Sequence, residues 1–216
     1  MATKSYASPK KVYCQTTLFC NQKCAHCCYD SGPEHKEFMS MDVFEAALKC
    51  EPQGLFNMGG GEPTCHPLFW DFLDVAIKYR GKGKVWLATN GKLAHHAMLL
   101  AGMVQRGEIR AVISDDQWHE PVRQDVMDLW RALGNQGKMK SIRTVSHPIK
   151  TGRCDWGDRV TCNGCGMPFI QWDGNVRQCA CLDAPVVGNV FEGYRAMFEG
   201  DEAWKCWKGL PDPDSR

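Results

Sequence analysis

Stretches of two kinds alternate along residues 12–145: short apolar runs bounded by turn residues, and longer amphipathic stretches. The short runs predict buried β-strands, and apolar positions that recur every three or four residues predict helices packed on a sheet. The predicted strands are residues 11–19, 54–63, 84–92, 109–116 and 138–147. The predicted helices are residues 40–51, 66–82, 93–108 and 121–135. This alternation predicts an α/β fold with a parallel sheet, either open and doubly wound or curved into a partial (β/α) barrel.

Residues at the ends of these elements agree with the pattern. Ser40 has the hydroxyl group that an N-cap uses, and Gly81 follows the second helix where a C-terminal glycine is expected. Asn90 and Gly91 form a turn signal directly after the third strand.

Residues suited to binding follow the first four predicted strands. They are Cys20–Cys27, Gly59–Pro63, Thr89–Gly91 and Ser114–Asp116, in strand order. In parallel α/β folds the ligand site gathers at the carboxyl ends of the strands. The sequence therefore predicts one site that all four loops contact.

The pattern changes near residues 148–153, where a segment rich in glycine and cysteine begins. We expect two domains, residues 10–150 and residues 151–216. Within the second, MPFIQWDGNVRQC predicts a hairpin that turns at Asp173–Gly174. Residues 194–210 predict a short helical tail that carries Cys206.

Composition narrows the class of protein. The chain has 216 residues, 44% hydrophobic and 24% charged, with a formal net charge of +1. These values are ordinary for a soluble globular protein and favour neither a nucleic-acid surface nor a membrane span. The N-terminus has no apolar signal-peptide core, so we expect a cytoplasmic protein. The outlier is cysteine: an odd count of 13, clustered towards the two ends, favours metal binding over disulfides.

The first cluster has the spacing C-x3-C-x2-C at Cys20, Cys24 and Cys27. Three thiolates from one loop can hold three irons of a cubane cluster and leave the fourth iron open to a ligand. Zinc is the alternative, with His26 or Cys28 as its fourth ligand.

The stretch CNQKCAHC resembles the cysteine signature of the radical S-adenosylmethionine (SAM) superfamily, and His26 stands where that signature favours an aromatic residue. GGGEP (59–63), ATNG (88–91) and ISDD (113–116) resemble the family's motifs after the second, third and fourth strands. The resemblance covers about residues 10–150 and implies a partial TIM-type barrel. It also implies a [4Fe-4S] cluster on Cys20, Cys24 and Cys27 whose open iron binds SAM. The SAM contacts it implies are His26, Gly60, Gly61, Glu62, Thr89, Asn90, Ser114 and Asp116.

Simpler roles stay open for single residues: a flexible turn for the glycines, and capping or solvated turn charge for Ser114 and Asp116. His119 is a candidate substrate contact or an ordinary loop residue. Arg153 is expected to be solvated surface charge. The pattern also has five strand candidates where the family's barrel has six; the sixth is absent or lies in the C-terminal segment.

The second cluster comprises Cys162, Cys165, Cys179, Cys181 and Cys206. A zinc staple or a redox dithiol are the alternatives from spacing. CNGCGMPFIQWDGNVRQC and VVGNVFEG resemble the SPASM/twitch extension of radical SAM enzymes, which implies one auxiliary iron–sulfur cluster, taken as [4Fe-4S]. The ligands implied are Cys162 or Cys165, Cys179 or Cys181, and Cys206.

The resemblance implies an enzyme that abstracts a hydrogen atom from its substrate and needs a low-potential electron donor of flavodoxin or ferredoxin type. We expect oxidation, crosslinking or epimerisation of a peptide. Dehydrogenation of a small molecule, such as a sugar or aminocyclitol, is the alternative. A non-enzymatic metal-binding or redox-sensing protein is the competitor from another class.

Overall fold

The computed structural model describes residues 11–50, 54–135, 140–146, 148, 151–156, 167–177, 179–181 and 184–192. The first part alternates strands and helices: β1 Lys11–Gln15, α1 Met41–Lys49, β2 Leu55–Gly59, α2 Phe69–Arg80, β3 Val85–Thr89, α3 Ala94–Gln105, β4 Arg110–Ser114, α4 Gln124–Asn135 and β5 Ile142–Arg143. Three short strands follow: β6 Phe169–Ile170, β7 Asn175–Arg177 and β8 Val186–Asn189. A 3-10 turn, Pro63–Cys65, lies between β2 and α2.

The described strands form one open mixed sheet in the order β5-β4-β3-β2-β1-β6-β7-β8. Strands β1 to β5 pair in parallel, as crossover helices require. Strand β6 pairs in parallel with β1, and β7 and β8 extend the sheet in antiparallel pairs. The predicted α/β class is confirmed, whereas closure into a partial barrel stays a prediction.

Strand β6 is the sixth parallel strand that the sequence left open. It comes from the C-terminal segment and lies between β1 and β7, on the side of β1 that faces away from β2. The predicted hairpin is confirmed between β6 and β7, and Gly174 turns it with φ +87°. The fifth strand is shorter than predicted, two residues. The predicted tail helix lies outside the described residues.

One face of the sheet packs on the helices. Residues two apart in β1 and β2 point to that face, because side chains alternate along a strand: Val12 is paired with Phe56 and Cys14 with Met58, and all four side chains are fully buried. Phe44 of α1 stacks on Phe72 of α2 with ring centroids 4.1 Å apart. Burial of side chains of this size contributes about 1.5–3 kcal/mol each.

The helix ends confirm two expectations. Ser40 caps α1 by accepting a hydrogen bond from the backbone N–H of Val43 at 3.4 Å. Gly81 ends α2 with φ +92°. None of the helices that the structure describes has both the length and the apolar character needed to cross a membrane.

Candidate functional site

Four loops meet at one edge of the sheet. Strands β1 to β4 are parallel neighbours, so their carboxyl ends lie side by side. These ends are Gln15, Gly59, Thr89 and Ser114, and all four residues are buried. The cysteine motif, the glycine run and the two later motifs therefore start from adjacent positions, as the sequence predicts.

The cysteine loop is closed by bonds within its own backbone. The N–H of Cys20 donates to Gly32 O at 3.2 Å, and the N–H of Gly32 donates to Leu18 O at 3.4 Å. Inside the loop, the N–H of Cys27 donates to Cys24 O at 3.2 Å. The thiol of Cys27 accepts from the N–H of Ser31 at 3.4 Å. The loop thus has a defined shape in which the three motif thiols lie on one tight stretch of chain.

Burial keeps the thiols of Cys20 and Cys24 protonated when no metal is bound. It raises the pKa of Cys20 to about 12 and that of Cys24 to about 11, and the neighbouring cysteines add to the shift. Because metals bind thiolates, assembly of a cluster here must displace protons.

The spacing of the sulfurs bears on the choice of metal. Among the residues that the structure describes, a group of three ligand atoms within 4.8 Å of one another is formed by His26, Asp116 and His119, not by the motif cysteines. Thiolates on one tetrahedral zinc ion lie about 4 Å apart, given a Zn–S length of about 2.3 Å. The loop would have to contract to hold a single zinc ion, whereas a multi-iron cluster requires wider spacing.

The glycine run after β2 is required by the chain's own packing. An added Cβ at Gly60 would lie 2.6 Å from the carbonyl oxygen of Thr17, and one at Gly61 would lie 2.8 Å from that of Leu18. The N–H groups of Gly61 and Glu62 donate to Thr17 O at 2.7 Å and Phe19 O at 3.0 Å. The run is therefore tied directly to the start of the cysteine loop, a contact that the sequence did not reveal.

Glu62 links two of the loops. Its Oε1 accepts from the hydroxyls of Thr64 at 2.6 Å and Thr89 at 2.9 Å and from the N–H of Thr64 at 3.2 Å. Its Oε2 accepts from the N–H of Asn90 at 2.7 Å. Burial raises the pKa of Glu62 above its ordinary value, although these bonds oppose the shift. The side chain holds the end of β3 against the turn after β2.

Asn90 connects the third loop to the cysteines. Its Nδ2 amide donates to Asn21 Oδ1 at 2.8 Å and lies 3.8 Å from the Cys20 sulfur. Its Oδ1 accepts from the N–H of Lys92 at 3.0 Å, which sets the orientation of the amide. Glu62, Asn90 and Cys20 therefore form one connected set.

Asp116 shapes the loop after β4. Its Oδ1 accepts from His119 Nδ1 at 2.8 Å and from the N–H groups of Trp118 at 3.0 Å and His119 at 3.3 Å. Its Oδ2 accepts from the N–H of Val145 at 3.1 Å. Burial would raise the pKa of Asp116, but these bonds outweigh it and the pKa lies below its ordinary value. Because both oxygens already accept hydrogen bonds, the carboxylate is better suited to stabilising the loop than to binding a metal.

Several buried polar atoms in and beside the cysteine loop have no hydrogen-bond partner among the described residues, and two of them, His26 Nδ1 and Trp118 Nε1, lie where the first and fourth loops meet. The His26 ring lies 4.9 Å from the His119 ring and 6.1 Å from that of Trp118, centroid to centroid. Buried polar atoms in native proteins are normally paired. These two fit a polar ligand that enters between the first and fourth loops.

Arg153 was expected to be surface charge, and this expectation is wrong. Its side chain is only 18% exposed and lies on the cysteine loop. Nη1 donates to Cys24 O at 3.0 Å and Nη2 to Ser31 O at 2.7 Å. The residues next to Arg153 in the sequence do not indicate what its guanidinium contacts.

The second cysteine cluster is described only in part. Cys179 and Cys181 are buried and pack with Ala184. Cys162, Cys165 and Cys206 lie outside the described residues. The auxiliary ligand set stays a prediction.

The comparisons with known proteins cover much of the part of the chain that forms this edge of the sheet. A family model, the Radical SAM superfamily, matches residues 14–112. Mycofactocin maturase MftC is 34% identical over 80 residues in both Mycobacterium ulcerans (strain Agy99) and Mycobacterium tuberculosis (strain CDC 1551 / Oshkosh), which is 36% of this chain. The matched part is 21% and 20% of those proteins, so the chain spans about a fifth of their length.

Two solved structures share the fold. BtrN in complex with AdoMet and 2-DOIA has a TM-score of 0.65 at 15% identity, over 94% of this chain and 84% of that one. Streptococcus suis SuiB bound to precursor peptide SuiA has a TM-score of 0.51 at 12% identity, over 91% of this chain and 65% of that one. At such identities the likeness is one of fold.

Proposed function

The family-model match and these relatives support membership of the chain in the radical SAM superfamily, and from this premise we propose that Cys20, Cys24 and Cys27 hold a [4Fe-4S] cluster that binds SAM. When bound, this group supplies the electron that cleaves the sulfonium and yields a 5′-deoxyadenosyl radical, which takes a hydrogen atom from the substrate. The observation that carries the proposal is the connection of three strand-end motifs around the cysteines, through Glu62 and Asn90.

The cysteine loop meets the chemical requirements of the proposed group. It offers three soft thiol donors, the ligand type that iron–sulfur clusters use, and in the described part of the chain their sulfurs do not all lie within 4.8 Å of one another, the close spacing that a single zinc ion would need. Gly60 and Gly61 carry no side chain, which lets the turn after β2 pack directly on the backbone at the start of the loop. The residues present therefore fit an iron–sulfur cluster with an open iron.

Contacts to the rest of SAM follow from the unpartnered atoms. We assign His26 Nδ1 and Trp118 Nε1 to the nucleoside or its hydroxyl groups, since both are buried and polar. Ser114 and Asp116 stay candidates for the ribose. The four hydrogen bonds that Glu62 accepts make it a positioning residue for Thr89 and Asn90; a contact with the ammonium of SAM stays a prediction.

A peptide is our first choice of substrate, for oxidation, crosslinking or epimerisation. In its support, a sequence relative is a maturase and SuiB was solved with a precursor peptide. Dehydrogenation of a small molecule, such as a sugar or aminocyclitol, is the second candidate, since the BtrN fold covers 94% of this chain. An auxiliary [4Fe-4S] cluster on Cys162 or Cys165, Cys179 or Cys181, and Cys206, with a flavodoxin- or ferredoxin-type donor, completes the proposal.

Anaerobic reconstitution tests the first cluster. The parent should form 5′-deoxyadenosine from SAM under strong reductant, and C24A should lose this activity at least a hundredfold. Cys28→Ala is the matched control, because it removes the adjacent thiol that the motif does not use. If C24A cleaves SAM as well as C28A does, the assignment of the loop is wrong.

Iron content tests the second cluster. About eight irons per chain indicate two cubanes, and about four indicate that the second site holds something else. Purified parent should then be offered a cysteine-rich precursor peptide encoded beside its gene, if there is one, and aminocyclitols in a parallel assay. If the aminocyclitol loses the mass of two hydrogens and the peptide is unchanged, the second candidate is favoured over the peptide.

A further inference from the structure

The segment Thr151–Cys154 lies beyond the span that matches the family model, yet it packs on the cysteine loop. It forms a tight turn, in which the N–H of Cys154 donates to Thr151 O at 3.2 Å. The side chain of Cys154 is fully buried. The turn presents Gly152 and Arg153 to the loop.

Gly152 brings the two backbones into contact. Its φ is +60°, a conformation that glycine adopts without strain. An added Cβ would clash with the carbonyl oxygen of Cys28 and lie 2.7 Å from that of Cys27. Only a residue without a side chain allows this approach.

Arg153 then bonds to the loop at four points. Its backbone N–H donates to Cys27 O at 2.9 Å. Its guanidinium donates to Cys24 O at 3.0 Å and Ser31 O at 2.7 Å, and Nε pairs with Asp30 Oδ1 at 3.0 Å. A planar guanidinium can make these contacts at once, whereas a lysine ammonium is a single point of charge. Two of the three bonded carbonyls belong to motif cysteines, Cys24 and Cys27, and the third belongs to Ser31.

We propose that Arg153 is a positioning residue for the first cluster, which holds the cysteine loop in its binding shape and places a permanent positive charge beside Cys24. The inference rests on the proposed function. A positive charge stabilises the reduced, more negative form of a cluster, since the reduction potential depends on nearby charge and on solvent exposure. Arg153 therefore makes the cluster easier to reduce and slower to lose iron.

The test compares anaerobically reconstituted parent, R153Q, R153K and the control R123Q. Arg123 is also paired with an aspartate, Asp125, but it is 61% exposed and lies on α4's N-terminal side. The midpoint potential is measured by EPR-monitored redox titration, and iron loss by transfer to a chelator. We expect R153Q to have a more negative midpoint and at least fivefold faster iron loss than R123Q.

R153K separates the two effects. It keeps the charge, so its midpoint should lie near that of the parent, but it loses the two-carbonyl contact and should still release iron faster. If the role of Arg153 is purely structural, R153Q loses iron faster than the parent but has the same midpoint potential. This result would overturn the electrostatic half of the proposal. If R153Q does not fold, R153K decides alone: iron loss equal to that of R123Q overturns the proposal.

Failure of the proposed function can be distinguished from failure of the Arg153 proposal. It appears in the parent, as the absence of a cluster or of SAM cleavage, and overturns both proposals. Failure of the Arg153 proposal appears only in the variants, with the parent fully active.

Discussion

Asp116→Asn should destabilise the protein at neutral pH by about 1.5–3 kcal/mol, the value of hydrogen bonds to a charged group. The carboxylate is 2% exposed and accepts bonds on both oxygens. Asparagine keeps one acceptor but presents an NH2 group either to Val145 N–H or to the donors of Trp118 and His119. At least one buried donor therefore loses its partner. The loss is a sizeable share of the about 5–15 kcal/mol typical of a folded domain.

The pH dependence of this loss has a definite sign. The pKa of Asp116 in the folded state lies below its ordinary value of 3.8. The stabilisation by the carboxylate is thus present above the unfolded pKa and disappears as the pH falls through the folded one. The gap between parent and D116N should be full at pH 7 and shrink steadily below about pH 4.

Urea unfolding of the reduced, metal-free protein measures the gap, followed by tryptophan fluorescence. Asp128→Asn is the control, because Asp128 is 62% exposed and its pairs lie on the surface of α4; it should change stability by less than about 0.5 kcal/mol. If D116N is as stable as D128N at pH 7, or if its gap does not change between pH 7 and pH 3, the loop-building role of Asp116 is refuted.

Three further outcomes follow from the same structure. Glu62→Ala leaves the N–H of Asn90 and two threonine hydroxyls without their acceptor, and should lower the free energy of unfolding by about 2–4 kcal/mol in denaturant titration. Gly152→Ala should cost about 1–3 kcal/mol more than Gly107→Ala in the same assay, because both have positive φ but an added Cβ at Gly107 has nothing within 4 Å. In the metal-free protein at pH 8, Cys20 and Cys24 should both be alkylated more slowly than a small free thiol, since burial raises their pKa values to about 12 and about 11; mass spectrometry of the peptides measures this.

Each outcome has a result that contradicts it. The exposed Glu45 supplies the alanine control for Glu62, and equal stability of the two variants would show that the buried bonds contribute nothing. Equal losses for the two glycine variants would show that backbone strain, and not contact with the cysteine loop, dominates at Gly152. Alkylation of Cys20 at the rate of a small free thiol would show that the loop is open in solution.

The residue pattern was sufficient to predict the frame of the site. Alternating strand and helix signals predict parallel strands, and parallel strands place the four motifs at one edge whatever the details of packing. Ser40 and Gly81 mark helix ends because capping depends on a few neighbouring residues only. Such local signals can be read from a sequence without knowledge of the rest of the fold.

The contacts of individual side chains were not predictable in the same way. Glu62 was expected to bind a ligand but accepts four bonds from its own chain, because Thr89 and Asn90 reach it only once β3 is in register with β2. Arg153 contacts Cys24 across 129 residues of sequence. No local pattern encodes a partner at that distance, so the residue was taken for surface charge.

The tether from Arg153 to the cysteine loop also sets an order of events during synthesis. The loop leaves the ribosome long before Arg153, and at about 5–20 residues per second the intervening 129 residues take roughly 6–26 s to add. Throughout that interval the cysteine loop lacks the hydrogen bonds that Arg153 later donates to it. A loop that already has this support is consequently available for iron delivery only after Arg153 has left the ribosome.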